Sequence, residues 1–503
     1  MSDWYDKLVE DIPFITLRNP TGAEPLPSGF LLNDTQNSSI AVQPGKTYLM
    51  RLMNIGAFVS SYFYIEDHTF RIVEIDGVYT DPAEASLLYV GVAQRYSLLV
   101  TMYNSTDRNY PIVTVADSSL LDTIPQDLQL NNTNWLEYNA SAPHPQAVMK
   151  VDDSSQLYPF DDISLVPHDR MPLLPEADQV ISVTVQMNNL GDGASYAFLD
   201  NISYVKPKVP TLYSVFSGGD TNLSTSPEIY GKYTHPAVLG HNHVIDIVLN
   251  NADTGSHPFH LHGHNFQLLA RDPPYGQHFF DYEALSSPVP YDPWNHSAFP
   301  PYPARRDTFV LPPQGSFVVR YVANNPGVWY IFSPAHYAAS VQISLILVLL
   351  CRIFHCHIDW HLTEGLAMVM IEAPLEMQEQ RAKIPSNHWE ACHLSSVSYE
   401  GNAAGNTHNL LDLDGQNEQV PALPAGFTAR GIVALVFSCI SAFLGMAFIT
   451  VYGISGLPAK NKNSKDNGNE TVFVQDQGQD EKNDEIGKSS TVMTGAMSDA
   501  PVP

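Results

Sequence analysis

Basic residues are scarce in this chain of 503 residues, which holds 25 Lys and Arg against 53 Asp and Glu. The formal net charge of −28 argues against nucleic-acid binding, because proteins with that function present basic surfaces to phosphates. Cysteine is also scarce, and the four that occur do not form a disulfide framework: Cys351, Cys356, Cys392 and Cys439. Long amphipathic helices are missing until the C-terminal region, which leaves a fold built mainly from strands.

Short strand-like runs dominate the chain, each rich in β-branched or aromatic residues and bounded by Gly, Pro, Asn or Asp. The clearest runs are 46–53, 95–102, 180–187, 244–249 and 316–322. An internal repeat accompanies them, because Asn54 lies fourteen residues before His68 just as Asn250 lies fourteen residues before His264. Both pairs follow an alternating strand. We therefore expect an all-β chain with two copies of one β-sandwich unit.

Two segments concentrate side chains that bind metals. Residues 257–264 read His-Pro-Phe-His-Leu-His-Gly-His, and residues 355–361 read His-Cys-His-Ile-Asp-Trp-His. Imidazole and thiolate ligands suit copper, and two His with one Cys form the ligand set of a blue-copper site. On a strand, His355 and His357 would project to one face while Cys356 projects to the other. The triplet would then serve two metal centres, with the Cys backbone as a short electron path between them.

Both segments resemble the two C-terminal copper signatures of the multicopper oxidases. The resemblance assigns three residues to a type 1 copper: His257, Cys356 and His361. It assigns the remaining four to the other centres, with His260 at the type 2 copper and with His262, His355 and His357 at the type 3 pair. The family's axial position holds Leu366, which cannot bind a metal, so we expect a type 1 potential toward the oxidising end.

Other stretches resemble the fungal plasma-membrane ferroxidases, a subgroup of this family that feeds an iron permease: 19–25, 92–96, 250–257 and 400–404. This resemblance implies Fe(II) and O2 as substrates. It also implies carboxylates that bind Fe(II) near the type 1 copper, at Glu24, Asp122 and Asp253, with Asp117 as a weaker candidate. Hard oxygen ligands stabilise Fe(III) over Fe(II), so these carboxylates would assist the departure of the electron.

The family has three cupredoxin domains, and this chain resembles only the second and third. We expect a cupredoxin domain without copper ligands over 1–150 and a copper-binding one over 151–375. The missing first domain would supply half of the ligands of the trinuclear cluster. For the chain as written we therefore expect at most a type 1 copper and no four-electron reduction of O2.

The C-terminal part is predicted to hold a stalk over 376–428, a transmembrane helix over 429–453 and a disordered cytoplasmic tail over 454–503. Residues 431–452 carry no charge and are long enough to span a bilayer. Because lysines follow this run, the positive-inside rule places the copper domains outside the plasma membrane. Glycosylation sequons, all of them before the run, agree with this: Asn33, Asn37, Asn104, Asn131, Asn139, Asn201, Asn222 and Asn295.

Residues 330–352 form an insertion that the resemblance does not account for. In the family, the segment that matches 325–329 runs almost directly into the one that matches 354–357. The insertion contains the apolar run 341–351, which is too short to cross a bilayer, and it would lengthen or break the strand that positions Cys356. Codons at its two ends can contain splice signals. We interpret it as a retained intron, with a real loop as the alternative.

Three functions fit the sequence. The first is a membrane-anchored ferroxidase for high-affinity iron uptake. The second is a laccase-like oxidase of phenols, which an apolar substrate pocket in place of the acidic residues would favour. The third is a catalytically inactive, membrane-anchored protein that binds copper or a partner, which the missing domain and the insertion favour.

Overall fold

The computed structural model describes ten stretches of the chain: 24–147, 158–190, 194–219, 221–275, 288, 290–293, 298–327, 352–379, 384–421 and 429–454. They fall into two compact units, Met1–Leu423 and Pro424–Pro503. The predicted insertion 330–352 lies outside the described residues except for Arg352, and so does the predicted tail beyond Ile454.

The first β-sandwich packs a five-stranded sheet, ordered β1-β9-β8-β3-β6, and a four-stranded sheet, ordered β2-β7-β4-β5. Its strands are β1 (Ser39–Ala41), β2 (Thr47–Met53), β3 (Ser61–Ile65), β4 (Phe70–Ile75), β5 (Val78–Ala85), β6 (Leu88–Val90), β7 (Arg95–Thr101), β8 (Tyr110–Ala116) and β9 (Asn131–Glu137). Alternate residues of β7, namely Tyr96, Leu98 and Val100, are almost completely buried. This is the pattern of a strand that packs one face on a core.

The second sandwich packs a six-stranded sheet, ordered β11-β10-β13-β18-β15-β16, and a five-stranded sheet, ordered β12-β20-β19-β14-β17. Its strands are β10 (Gln179–Asn189), β11 (Ser195–Leu199), β12 (Pro236–Leu239), β13 (Val244–Asn251), β14 (His257–Leu261), β15 (Phe266–Asp272), β16 (Arg305–Arg306), β17 (Thr308–Leu311), β18 (Ser316–Val322), β19 (Arg352–Cys356) and β20 (Ala367–Glu372). The helices are α1 (Thr211–Ser217), α2 (Asp359–Glu364), α3 (Pro374–Glu379), α4 (Ser386–Leu394) and α5 (Ala429–Ile454). The prediction of an all-β fold with two sandwiches is confirmed.

Aromatic packing holds together strands β14 and β19, which carry parts of the metal-binding segments, and the adjacent strand β17. Phe259 of β14 is fully buried, and its ring stacks on that of Phe354 of β19 with the centroids 5.0 Å apart. The centroid of the Phe309 ring of β17 lies 6.3 Å from each of these two rings, which are nearly parallel to it. Such pairs contribute about 0.5–1.5 kcal/mol beyond the area they bury. The rings therefore fix β14 and β19 side by side.

A buried ion network joins the two sandwiches. The Arg306 side chain in β16 is completely buried and donates to both carboxylate oxygens of Asp76 and to Asp162, at 2.6–3.1 Å. Asp76 follows β4 of the first sandwich, whereas Asp162 lies in the segment between the sandwiches. Its carboxylate also contacts the buried Arg271 at 2.8 Å. Because each charge is paired, the network can be buried without an uncompensated ion.

Replacing Arg306 with Met should lower the free energy of unfolding by about 3–5 kcal/mol, because two buried carboxylates would lose their partner. The measurement is thermal unfolding of the full chain. Arg170→Met is the matched control, since the Arg170 pair with Asp81 is solvent-exposed and should contribute only about 0–1 kcal/mol. Equal shifts in the two variants would mean that the network does not hold the sandwiches together.

The prediction of a stalk over 376–428 is wrong for its described part. Helices α3 and α4 pack on α1 around a second hydrophobic core, to which Met377, Cys392 and Leu410 contribute. Backbone hydrogen bonds tie this segment to the second sandwich, as between the Lys208 amide and the Ala403 carbonyl at 2.9 Å. The segment is polar in composition, but three of its apolar side chains, Met377, Cys392 and Leu410, are buried in this core.

Helix α5 has 26 residues and agrees closely with the helix predicted over 429–453. Among the described residues, Ile432–Tyr452 is the one helical stretch that is long and apolar enough to cross a membrane, with 21 residues and a mean hydropathy of 2.5. At about 1.5 Å per residue, such a stretch matches the ~30 Å hydrocarbon core of a bilayer.

Candidate metal centre

Strand pairing brings the two histidine-rich segments together. In β14 and β19, Phe259 lies opposite Cys356 and His260 lies opposite His355. Because side chains alternate along each strand, the histidines at 260 and 355 share one face and the cysteine lies on the other. After Cys356 the chain turns into the short helix α2, which returns His361 to the cysteine side.

The first cluster, which we call the thiolate cluster, consists of His257, Cys356 and His361. The Nδ1 atoms of the two histidines are 3.0 Å apart, and the Cys356 Sγ lies 3.8 Å from that of His257 and 3.4 Å from that of His361. All three side chains are buried. Two imidazole nitrogens and one sulfur that converge in this way fit a copper ion of the type 1 class.

The surroundings of Cys356 favour the thiolate that a metal requires. Burial raises the pKa of this thiol, but the charge of His361 and the hydrogen bonds from both histidines more than offset this and lower the pKa to about 7. A thiolate is the form of cysteine that binds metals. Leu366, at the predicted axial position, is fully buried, and its carbonyl accepts a hydrogen bond from the Cys356 amide at 3.2 Å.

Each histidine of the thiolate cluster contacts a carboxylate through its outward nitrogen. The Nε2 of His361 lies 2.7 Å from Glu24 Oε1, and the Nε2 of His257 lies 3.1 Å from Asp253 Oδ2. Burial would raise the pKa of Asp253, but the hydrogen bond from His257 and its charge lower it below the ordinary value. The carboxylates therefore hold both imidazoles with Nδ1 turned toward the sulfur, as partners beyond the ligands often do.

The second cluster, which we call the imidazole cluster, lies on the opposite face of the strands. It comprises His260, His262, His355 and His357. The Nε2 atoms of His262 and His355 are 3.1 Å apart, and the Nδ1 of His260 contacts the Asp307 carbonyl at 2.8 Å. Burial, followed by the charges of its three neighbours, holds the pKa of His355 well below its usual range. Imidazoles packed this closely, with His355 held neutral, fit a metal cluster.

The other two predicted carboxylates are not among the donor atoms that converge at the thiolate cluster. Asp117 is completely buried, where it accepts hydrogen bonds from Tyr89 Oη at 2.7 Å and from the Ser119 amide at 3.1 Å. It caps a short helical turn, which is a structural role. Asp122 is exposed, and it belongs to none of the groups of converging donor atoms found among the described residues.

One residue near the site was missed by the sequence analysis. Glu364 lies three residues after His361 in α2, and donor atoms of Glu24, His361 and Glu364 all lie within 4.8 Å of one another. Burial, followed by the negative charge of Glu24 among its neighbours, raises the pKa of Glu364 to about 8. A spacing of three residues places side chains on the same side of a helix, so this signal was present in the sequence.

Comparisons with known families agree with this geometry. One model of the multicopper oxidases matches residues 1–141, and a second model of the same description matches 204–337 and 352–376. Residues 338–351, which belong to the predicted insertion, separate the two matched stretches of the second model.

Individual relatives are similar over most of the chain. The iron transport multicopper oxidase fetC of Epichloe festucae is 48% identical over 90% of this chain and 67% of its own length. The corresponding values for the iron transport multicopper oxidase FET3 of Saccharomyces cerevisiae are 45%, 90% and 67%. The chain thus spans about two thirds of these relatives.

Solved structures match as well. The crystal structure of Fet3p, described as a multicopper oxidase that functions in iron import, superposes with a TM-score of 0.72 at 43% identity, over 84% of this chain and 73% of that one. A laccase from Botrytis aclada superposes with a TM-score of 0.58 at 20% identity, over 78% of this chain and 65% of that one. The second likeness shows a shared fold alone.

Proposed function

This chain belongs to the multicopper oxidase family, and we propose that it oxidises Fe(II) to Fe(III) for iron uptake and passes the electrons to O2. The observation that carries this proposal is the pair of carboxylates on the outer edge of the thiolate cluster. Glu24 and Asp253 each contact one of its histidines, and their side chains are 13% and 24% exposed. A cation from solvent can reach these oxygens, whereas the histidines behind them are buried.

The residues present fit copper, because two imidazoles and a thiolate of lowered pKa converge on one point. When bound there, copper supplies a one-electron acceptor. Glu24 and Asp253 bind and orient the incoming Fe(II), and their hard oxygens favour the Fe(III) product. His257 and His361 lie between these carboxylates and Cys356, and each contacts its carboxylate through one hydrogen bond. Asp122, which is exposed, is proposed as a further carboxylate that contacts the incoming Fe(II).

The imidazole cluster is proposed to take part in O2 reduction together with the ligands that the first domain supplies in this family. In this assignment His260 serves a type 2 copper, and His262, His355 and His357 serve a type 3 pair. The route from the thiolate cluster is covalent, because Cys356 lies between His355 and His357 in the chain. The buried Nδ1 of His357 has no hydrogen-bond partner, which supports a metal-binding role for this ring.

Helix α5 is proposed to anchor the protein in the plasma membrane, with the metal-binding domains outside and the tail in the cytoplasm. The uncharged run of Ile432–Tyr452 and the lysines that follow it support this orientation. An iron permease in the same membrane is the proposed partner, since the relatives are iron transport oxidases. A laccase-like activity is less well supported, because carboxylates rather than an apolar pocket flank the thiolate cluster.

Expression of this chain, joined to the first cupredoxin domain of FET3, in Saccharomyces cerevisiae cells that lack FET3 should restore growth on low-iron medium, because in this family that domain supplies the other half of the ligands for O2 reduction. The reason is that the thiolate cluster and its two carboxylates would supply the missing oxidation of Fe(II). The Cys356→Ser variant is the control and should not restore growth. If the wild-type chain reaches the cell surface with copper bound and growth still fails, the proposed function is wrong.

A further inference from the structure

The last turn of α2 places a second carboxylate beside Glu24. Glu24, His361 and Glu364 each offer one donor atom, and these atoms all lie within 4.8 Å of one another. The Nδ1 atom of His361 faces Cys356, whereas its Nε2 atom faces Glu24. The Nε2 edge of this ring and the two glutamates therefore form a site that is separate from the one at Cys356. Two carboxylates at this distance repel each other unless a proton or a cation lies between them.

The Glu364 side chain is buried without a partner for one of its oxygens. The residue is 3% exposed, and its Oε2 has no hydrogen-bond partner. An unsatisfied oxygen in the interior costs about 1–3 kcal/mol, and more when it carries charge. A buried oxygen without a partner is usually explained by a ligand or an ion that it binds, so the unpartnered Oε2 of Glu364 indicates a ligand.

The backbone around Glu364 is rigid, which fixes the direction of its side chain. The Glu364 carbonyl accepts a hydrogen bond from Ser203 Oγ at 2.9 Å, and the next residue, Gly365, has a φ of 108°. A Cβ at Gly365 would lie only 2.1 Å from the same Ser203 oxygen, so the contact requires glycine. The helix therefore ends in a fixed position with Glu364 directed toward Glu24.

We propose that Glu364 and Glu24 together bind the Fe(II) substrate, with Glu364 as the inner ligand and Glu24 at the opening toward solvent. This inference rests on the proposed function and adds a residue to its iron site, on the His361 side of the thiolate cluster. With copper held by the thiolate cluster, His361 would lie between that copper and the bound Fe(II), and the copper would accept one electron and leave Fe(III). Two carboxylates select a hard divalent cation over soft Cu(I).

Titration with Mn(II) tests this site, because Mn(II) is a hard divalent cation that stands in for Fe(II) without donating its electron. The full chain is first saturated with Cu(I), which fills the soft sulfur and imidazole ligands, and calorimetry then measures the affinity for Mn(II). Glu364→Gln should weaken Mn(II) binding about tenfold or more, since affinity for hard cations follows the number of charged oxygen ligands. Glu24→Gln should weaken it similarly, and the double variant should bind Mn(II) more weakly than either single one.

Two further variants separate ligation from folding. Glu364→Gln keeps the volume of the side chain and replaces a buried carboxyl that has an unsatisfied oxygen, so its thermal stability without Mn(II) should equal or exceed that of the wild type. Glu400→Gln, at an exposed glutamate outside the cluster, should leave Mn(II) affinity unchanged.

Each outcome decides the matter. If Glu24→Gln weakens Mn(II) binding and Glu364→Gln does not, the inference about Glu364 is overturned while the proposed function stands. If the wild type does not bind Mn(II), or if neither variant weakens its binding, the iron site itself is misplaced and the proposed function loses its main support.

Discussion

Replacing Cys356 with Ser should abolish the visible absorption that a copper–thiolate bond gives and should remove one copper per chain. The Cys356 sulfur lies within 3.8 Å of both facing histidine nitrogens, and no second cysteine belongs to this group of donor atoms in the part of the chain that the structure describes. A serine hydroxyl fills nearly the same space but stays protonated at neutral pH, so it is a poor ligand for copper. Optical spectra and metal analysis of the copper-loaded protein measure both effects.

Cys392→Ser is the matched control, because Cys392 is also a fully buried free cysteine but contacts Tyr213 Oη at 3.3 Å instead of a histidine. This variant should keep the absorption and the copper. If Cys356→Ser keeps the absorption, the thiolate cluster does not hold the copper. If both variants lose it, the loss comes from altered folding instead of a missing ligand.

Replacing Asp253 with Ala should slow Fe(II) oxidation and leave the oxidation of hydroquinone nearly unchanged. In the proposed iron site this carboxylate binds the cation, and it accepts a hydrogen bond from the His257 ring at 3.1 Å, whereas a neutral phenol does not need its charge. Losing an interaction with a charged group costs about 1.5–3 kcal/mol, which corresponds to a fall of about ten- to hundredfold in kcat/KM for Fe(II).

Asp107→Ala is the control for the general effect of removing one negative charge, since Asp107 is exposed in the loop between β7 and β8. It should change neither substrate's kcat/KM. If this variant loses a comparable amount of kcat/KM for Fe(II), then the overall negative charge attracts the cation and Asp253 does not bind it specifically.

The separation of the predicted ligands into two clusters could be predicted from the sequence because strand geometry is local. His355, Cys356 and His357 alternate by the ordinary period of two, and that period alone places the cysteine opposite the two histidines. The structure confirms this separation into two clusters. Glu24 is different, because it is remote from His361 in the chain and only the resemblance to ferroxidases indicated it; the structure then brings the two side chains to 2.7 Å.

What sequence reasoning missed depends on tertiary packing. Asp117 looked like a site carboxylate, but it is enclosed by Tyr89 and Ser119, which no local pattern shows. The predicted stalk is polar on average, and average composition hides the few buried residues, such as Met377 and Cys392, that fold it onto the second sandwich. The spacing of three residues between His361 and Glu364 is visible in the sequence. The proposed role of Glu364 depends on Glu24, which only the tertiary structure brings beside it.

Anaerobic rapid mixing of Fe(II) with the copper-loaded, oxidised protein tests the central claim most directly, because it follows the first electron without involving O2. In the wild type, Fe(II) should bleach the copper–thiolate absorption. In Asp253→Ala this bleaching should be about ten- to hundredfold slower, while hydroquinone bleaches both proteins at the same rate. If Fe(II) and hydroquinone are slowed equally, or if Fe(II) does not bleach the wild type, then the carboxylates that flank the thiolate cluster are not the entry point for iron's electron.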